Sequence, residues 1–71
     1  MGWIFKAKKV VSAIKKYGPK AIAAIKKGAR SVYDSFMAAK AKGWVHLTWW
    51  LVKNTSALGA IYDALKSAGL I

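Results

Sequence analysis

Glycines at positions 18, 28, 43, 59 and 69 punctuate the sequence, and they limit how long any regular element can be. Between them, apolar residues recur three and four positions apart, which is the spacing of one helix face, and the alternation typical of strands is absent. Gly18, Gly28 and Gly43 each follow the end of such a pattern, where glycine commonly terminates helices. The sequence therefore predicts several short helices and no sheet.

The spacing places the helices at about 3–17, 19–27, 31–42, 44–53 and 56–68. Gly18 followed by Pro19 predicts the end of the first helix and the start of the second, since proline suits the first position of a helix. Ser31 and Asp34 have the spacing of a capping box, which predicts the start of the third helix. Thr55 or Ser56 is expected to cap the last one.

Helices this short are marginal in water on their own, so they need one another or a membrane. The loops between them are short, which favours neighbouring helices in a bundle. The chain has 71 residues and no cysteine, so we expect one all-α domain, a compact bundle of about five helices without disulfides. The inward positions of the patterns predict a core made of Val10, Ile14, Ile22, Ile25, Phe36, Leu47, Trp50, Leu51, Leu58, Ile61 and Leu65.

Positive charge is the strongest compositional signal, with 13 Lys and Arg residues against two acids and a formal net charge of +11. Residues 1–42 carry eleven of the basic residues and only one acid. Such a surface attracts polyanions, meaning nucleic acid or an anionic membrane. The predicted electrostatic membrane-binding residues are Lys6, Lys8, Lys9, Lys15, Lys16, Lys20, Lys26, Lys27, Arg30, Lys40 and Lys42.

The chain is also 56% hydrophobic, and the combination of high charge with high hydrophobicity is typical of proteins that act at membrane surfaces. The longest run without charge, residues 43–52, is about 15 Å long as a helix, which is too short for a hydrocarbon core of about 30 Å. We therefore expect surface binding in preference to a spanning helix.

Trp49 and Trp50 are adjacent in the most apolar segment, "WVHLTWWLV" (44–52). Neighbours on a helix point about 100° apart, so both cannot face one small core. Trp50 shares a side with Leu47 and Leu51 and is expected to be buried, while Trp49 is expected at the surface. Because tryptophan suits the membrane–water interface, we predict that role for Trp3, Trp44 and Trp49.

Enzymatic chemistry is not expected, because one histidine and two acids cannot supply a catalytic triad or paired carboxylates. The usual ligand set for zinc is missing as well, and no cofactor is predicted. His46 is interpreted as a partly exposed helix residue.

Three stretches resemble the leaderless bacteriocins of the aureocin, lacticin Q and epidermicin type. They are "MGWIFK" at the start, "KKYGPKAIAAIKKG" (15–28) and "IYDALKSAGLI" (61–71), together about half of the chain. The resemblance implies a saposin-like helical bundle, secretion without a cleavable leader, and killing of bacteria by permeabilising their membranes. Anionic bacterial lipids would then be the partners, with no obligate protein partner evident and self-association at the membrane left open.

This chain is about twenty residues longer than those relatives, which is consistent with an additional helix around residues 29–42. Its length approaches that of the circular bacteriocins, a more distant resemblance with five helices. Whether Met1 is joined to Ile71 is therefore open, although Gly2 and Gly69 near the junction favour a linear chain.

A small nucleic-acid-binding module is the alternative interpretation, with the helices around Gly18 and Pro19 forming a helix-turn-helix. Against it, Arg30 is the single arginine, and residues suited to base contacts are scarce. Lysine in place of arginine favours diffuse attraction over bidentate recognition.

Overall fold

Five helices with very short connections make up the described part of the chain, which comprises the backbone of residues 2–71 and the side chains of residues 4–71. In the computed structural model the helices are α1 (Gly2–Tyr17), α2 (Pro19–Gly28), α3 (Arg30–Ala41), α4 (Trp44–Lys53) and α5 (Thr55–Ser67). They form a nearly isometric body of 24 × 23 × 22 Å. The prediction of an all-α compact bundle is confirmed, and every predicted helix end lies within one residue of the observed one.

The connection between α1 and α2 is the predicted glycine–proline junction. Gly18 adopts a φ of 54°, in the left-handed region that favours glycine. Its N–H donates to the carbonyl of Ile14 at 2.8 Å, and its own carbonyl accepts from the N–H groups of Ala21 and Ile22. Pro19 is the first residue of α2, where its missing N–H costs no hydrogen bond.

The residues predicted to cap the N-termini of α3 and α5 are wrong, although both helices begin within one residue of the predicted position. Helix α3 begins at Arg30, so Ser31 lies inside its first turn, and the N-cap residue is Ala29, which makes no side-chain cap. Ala29 is buried in the core, so packing sets the start of this helix in place of a capping box. Helix α5 begins at Thr55, and its N-cap residue Asn54 makes no side-chain cap to it either.

Asn54 instead caps the preceding helix, α4. Its side-chain Nδ2 donates to the carbonyl of Trp50 at 2.8 Å, and its backbone N–H donates to the same oxygen at 3.0 Å. Because the last carbonyls of a helix have no partner within it, these bonds satisfy one of them. A single residue thus ends α4 and connects it to α5.

The core lies where all five helices meet. Helix α1 packs against α2, α4 and α5, while α3 packs against α2 and α4. Nine of the eleven predicted core residues are buried: Val10, Ile14, Ile25, Phe36, Leu47, Leu51, Leu58, Ile61 and Leu65. Buried alanines fill the remaining contacts, and among the described side chains no polar or charged one is buried.

Ile22 and Trp50 depart from the prediction, because both are only partly buried. Ile22 packs against the core with one side and lines a surface groove with the other. Trp50 packs against Phe36, with ring centroids 6.5 Å apart and the planes tilted by 58°. Tryptophan is large and therefore rarely fully buried, although it is highly buried on average.

Candidate functional site

The basic residues predicted for membrane binding lie at the surface of the bundle. Nine of these eleven residues are exposed, on α1, α2, α3 and directly after α3: Lys8, Lys9, Lys15, Lys16, Lys20, Lys26, Lys27, Arg30 and Lys42. The remaining two, Lys6 and Lys40, are half-buried. The basic surface therefore extends over three consecutive helices that contain one acid, Asp34.

Aromatic rings lie next to several of these lysines. The Nζ atom of Lys6 lies 5.3 Å from the ring centroid of Tyr62, and that of Lys26 lies 5.8 Å from Tyr33. Lys16 is placed in the same way over its neighbour Tyr17. An aromatic face attracts an ammonium group without neutralising it, so the packing leaves the net charge of the surface intact.

Trp44 is the centre of the densest of these contacts. The Nζ atoms of Lys15 and Lys40 lie 5.1 and 5.6 Å from its ring centroid. Lys15 comes from α1 and Lys40 from α3, so the ring brings together two ammonium groups that are 25 positions apart in the sequence. Trp44 itself is 39% exposed, which leaves part of the indole open to solvent.

An open groove of about 630 Å³ adjoins Trp44, and we call it the Trp44 groove. Its apolar lining includes Ile22, Ala23 and Trp44, and its basic lining consists of Lys15, Lys26 and Lys40. No acidic residue lines it. The sequence indicated the lysines and the tryptophan one by one, but their assembly from four helices is a tertiary feature that no local pattern contains.

A second apolar surface lies between α1 and α4, and we call it the α1–α4 patch. Ile4, Val45 and Trp49 line a shallow groove of about 250 Å³ there, with Lys8 at the same groove. Val45 is 74% exposed and Trp49 57%, and Phe5, next to Ile4 in the chain, is 68% exposed. Exposed apolar clusters of this kind commonly mark interaction surfaces.

The three tryptophans whose side chains the structure describes have separate positions. Trp49 is exposed on the α1–α4 patch, Trp44 is partly exposed at its groove, and Trp50 packs on Phe36. The predicted role of Trp3 falls on a side chain outside the described residues. Ile4, Phe5 and Val45 were not predicted as site residues. Phe5 lies off the Trp3–Ala7–Val10 stripe of α1, and Val45 lies on the side of α4 opposite Leu47, so helical periodicity was the signal for both.

Groups suited to catalysis or metal binding are sparse. His46 is exposed on α4, and Asp34 and Asp63 are exposed on different helices. Across the described residues, His, Asp and similar side chains form no group of three that would hold a metal ion. Within the same residues, none of the helices combines the length and apolar character needed to cross a bilayer.

Comparison of the chain with protein-family models, with curated proteins and with solved structures finds no match. The resemblance to leaderless bacteriocins, including the saposin-like arrangement of helices, therefore stays a prediction from the sequence.

Proposed function

We propose that this protein is a secreted, membrane-active antimicrobial protein that adsorbs to anionic bacterial membranes and permeabilises them. The observation that carries the proposal is the adjacency of charge and apolar surface: Lys8 lies at the same groove as the exposed Ile4, Val45 and Trp49. A soluble partner would need to match both features, whereas an anionic bilayer offers phosphate and hydrocarbon within a few ångströms of each other.

Electrostatic attraction supplies the first step. A lysine near an anionic membrane contributes about 1 kcal/mol, and the attraction falls off within a Debye length of about 10 Å. Several of the exposed lysines on α1 and α2 acting together therefore suffice for adsorption without a protein receptor.

Apolar insertion supplies the second step. The indole of Trp49 has an apolar body and a polar N–H, which suits the headgroup region of a bilayer. Val45 and Ile4 would enter with it, because they line the same groove. The core of so small a bundle is only marginally stable, so binding through the patch would also allow the helices to separate and disturb the lipid.

Release of an encapsulated dye tests the proposal. Vesicles of phosphatidylglycerol and phosphatidylcholine are compared with vesicles of phosphatidylcholine alone, at low and high salt. We expect rapid release from the anionic vesicles, little from the neutral ones, and a lower rate at high salt. Equal inactivity on both compositions would refute the proposed function.

Nucleic-acid binding is the second candidate, and the helix–Gly18–Pro19–helix arrangement of α1 and α2 favours it. A DNA mobility shift over a salt series distinguishes the two, since phosphate contacts weaken steeply as salt rises. The exposed side chains of Phe5, Val45 and Trp49 favour membrane binding over nucleic-acid binding. The phosphate backbone of a nucleic acid offers no apolar surface that would cover them.

A further inference from the structure

We propose that the Trp44 groove is a stoichiometric binding site for one anionic phospholipid molecule. Lys15, Lys26 and Lys40 would hold the phosphate, and an acyl chain would lie against Ile22, Ala23 and Trp44. This inference rests on the proposed function for its choice of lipid, but it claims a defined site where adsorption to a membrane needs only diffuse charge.

The arrangement of charge around Trp44 is the first argument. Three helices contribute a lysine to the lining of one groove: Lys15 on α1, Lys26 on α2 and Lys40 on α3. The Nζ atom of Lys26 lies over Tyr33, 5.8 Å from the ring centroid, so Lys26 would have to turn toward the groove to bind an anion there. The Nζ atoms of Lys15 and Lys40 both lie within 5.6 Å of the centroid of the Trp44 ring, so two ammonium groups from different helices border the same indole. No carboxylate lines the groove, so an anion is the complementary charge that is missing.

The shape and polarity of the groove form the second argument. Its volume of about 630 Å³ lies within the range of small-molecule sites, which is about 300–1,000 Å³. Apart from the lysine side chains, its lining is apolar or glycine and proline backbone: Ile14, Gly18, Pro19, Ile22, Ala23 and Trp44. The part-exposed faces of Ile22 and Trp44 remain available to a ligand.

A phospholipid fits this pairing better than a free phosphate does. An inorganic or sugar phosphate would satisfy the lysines but would leave the apolar lining in contact with water. A neutral amphiphile would cover the lining but leave the three ammonium groups without a counter-charge. An anionic phospholipid satisfies both, and phosphate is a ligand that lysine binds readily as a point charge.

The test is a ¹H–¹⁵N NMR titration of the whole protein with dihexanoyl phosphatidylglycerol, kept below its critical micelle concentration. The indole N–H signal of Trp44 is assigned by its loss in Trp44→Phe. We expect a saturable one-to-one shift of that signal, with dihexanoyl phosphatidylcholine and glycerol 3-phosphate each binding at least about tenfold more weakly, since the first has no net negative charge and the second has no acyl chain.

Equal affinity for glycerol 3-phosphate would show a phosphate site only, and equal affinity for the phosphatidylcholine would show a site that does not select for negative charge. Either result overturns the proposal. So would shifts that do not saturate and extend over all lysines, which indicate diffuse adsorption, or shifts confined to Trp49, which indicate the α1–α4 patch.

A charge-matched pair of double variants tests the residues. Lys15→Gln with Lys40→Gln should weaken binding of the phosphatidylglycerol by at least about tenfold. Lys53→Gln with Lys66→Gln removes the same charge from exposed positions outside the groove and should change binding by less than about threefold by the same reasoning. Equal losses would refute a defined site, and retained signal dispersion in both variants verifies that they fold.

The titration uses no bilayer, so its outcome is separate from that of dye release. Leakage without saturable binding would overturn this inference and leave the proposed function in place. Saturable binding without leakage would support the site and refute permeabilisation.

Discussion

Gly28 of α2 and Ala64 of α5 lie so close together that a side chain at position 28 has no room. A Cβ atom added at Gly28 would lie 2.6 Å from the Cβ of Ala64 and 3.1 Å from its Cα. Real Cβ atoms do not come so close, and the obstacle includes backbone that cannot rotate away. Glycine at position 28 and a small residue at position 64 therefore set the distance between the two helices.

Gly28→Ala is expected to lower the free energy of unfolding by about 1–3 kcal/mol, the usual cost of forcing an extra methyl group into a packed site. Urea denaturation followed by circular dichroism measures it. Combining it with Ala64→Gly should restore part of the loss, because the second change removes the methyl group that clashes. Unchanged stability of the single variant would show that α2 and α5 are not packed this tightly.

Gly59→Ala, in contrast, is expected to raise the free energy of unfolding. Gly59 lies inside α5, and nothing lies within 4 Å of the position its Cβ would take. Alanine in a helix interior is favoured over glycine by about 0.8–1 kcal/mol, so the free energy of unfolding should rise by up to that amount. The same denaturation experiment checks it, and it provides a matched control for Gly28→Ala because the chemical change is identical.

Substitutions of Trp49 and Trp50 are expected to affect different properties, membrane activity for Trp49 and folding stability for Trp50. Trp50→Ala removes the ring that packs on Phe36 and should cost about 2–4 kcal/mol of folding free energy, somewhat less than a fully buried aromatic. Trp49→Ala should change stability by less than about 1 kcal/mol, because its ring is largely exposed.

Vesicle leakage should show the reverse order for protein that is folded. Trp49→Ala should lose most of its dye release from phosphatidylglycerol vesicles, since the α1–α4 patch would lack its interfacial aromatic residue. Trp49→Phe, which keeps an apolar ring, should retain more activity than Trp49→Ala. Full activity of Trp49→Ala would remove the patch from the mechanism.

Local pattern was enough to predict the helices but not what starts them. The bounds follow from glycine, proline and the spacing of apolar residues, which act within one helical turn. The capping predictions at Ser31 and Thr55 failed for two reasons. Ala29 is buried in the core, a tertiary contact, whereas Asn54 makes a local hydrogen bond back to Trp50 in the preceding helix. A side-chain cap that is predicted from the sequence competes with every other contact that the residues between two helices can make.

The candidate site was predictable as a list of residues and not as a set of surfaces. Helical periodicity separates Trp49 from Trp50, because their directions differ on one helix. It gives no information on which helix lies beside which, so it did not place Ile4 beside Val45, or Lys15 and Lys40 at Trp44. Those neighbours depend on how the five helices pack, which the distribution of small residues such as Gly28 and Ala64 determines.

The location of the positive charges, and not only their number, should determine how strongly the protein binds to anionic vesicles. Lys9 and Lys20 are exposed on α1 and α2, outside the Trp44 groove, whereas Lys53 and Lys66 lie in the part of the chain with little net charge. Replacing both members of either pair with Gln removes two charges. If α1 to α3 face the membrane, the first pair should weaken partitioning into anionic vesicles by up to about thirtyfold, at roughly 1 kcal/mol per lysine near the surface. The second pair should weaken it by less than about threefold, because those charges would lie farther from the lipid, where salt screens them.

Centrifugation with sucrose-loaded vesicles at 0.1 M salt measures both partition coefficients. Equal effects of the two pairs would mean that the protein binds without a preferred orientation.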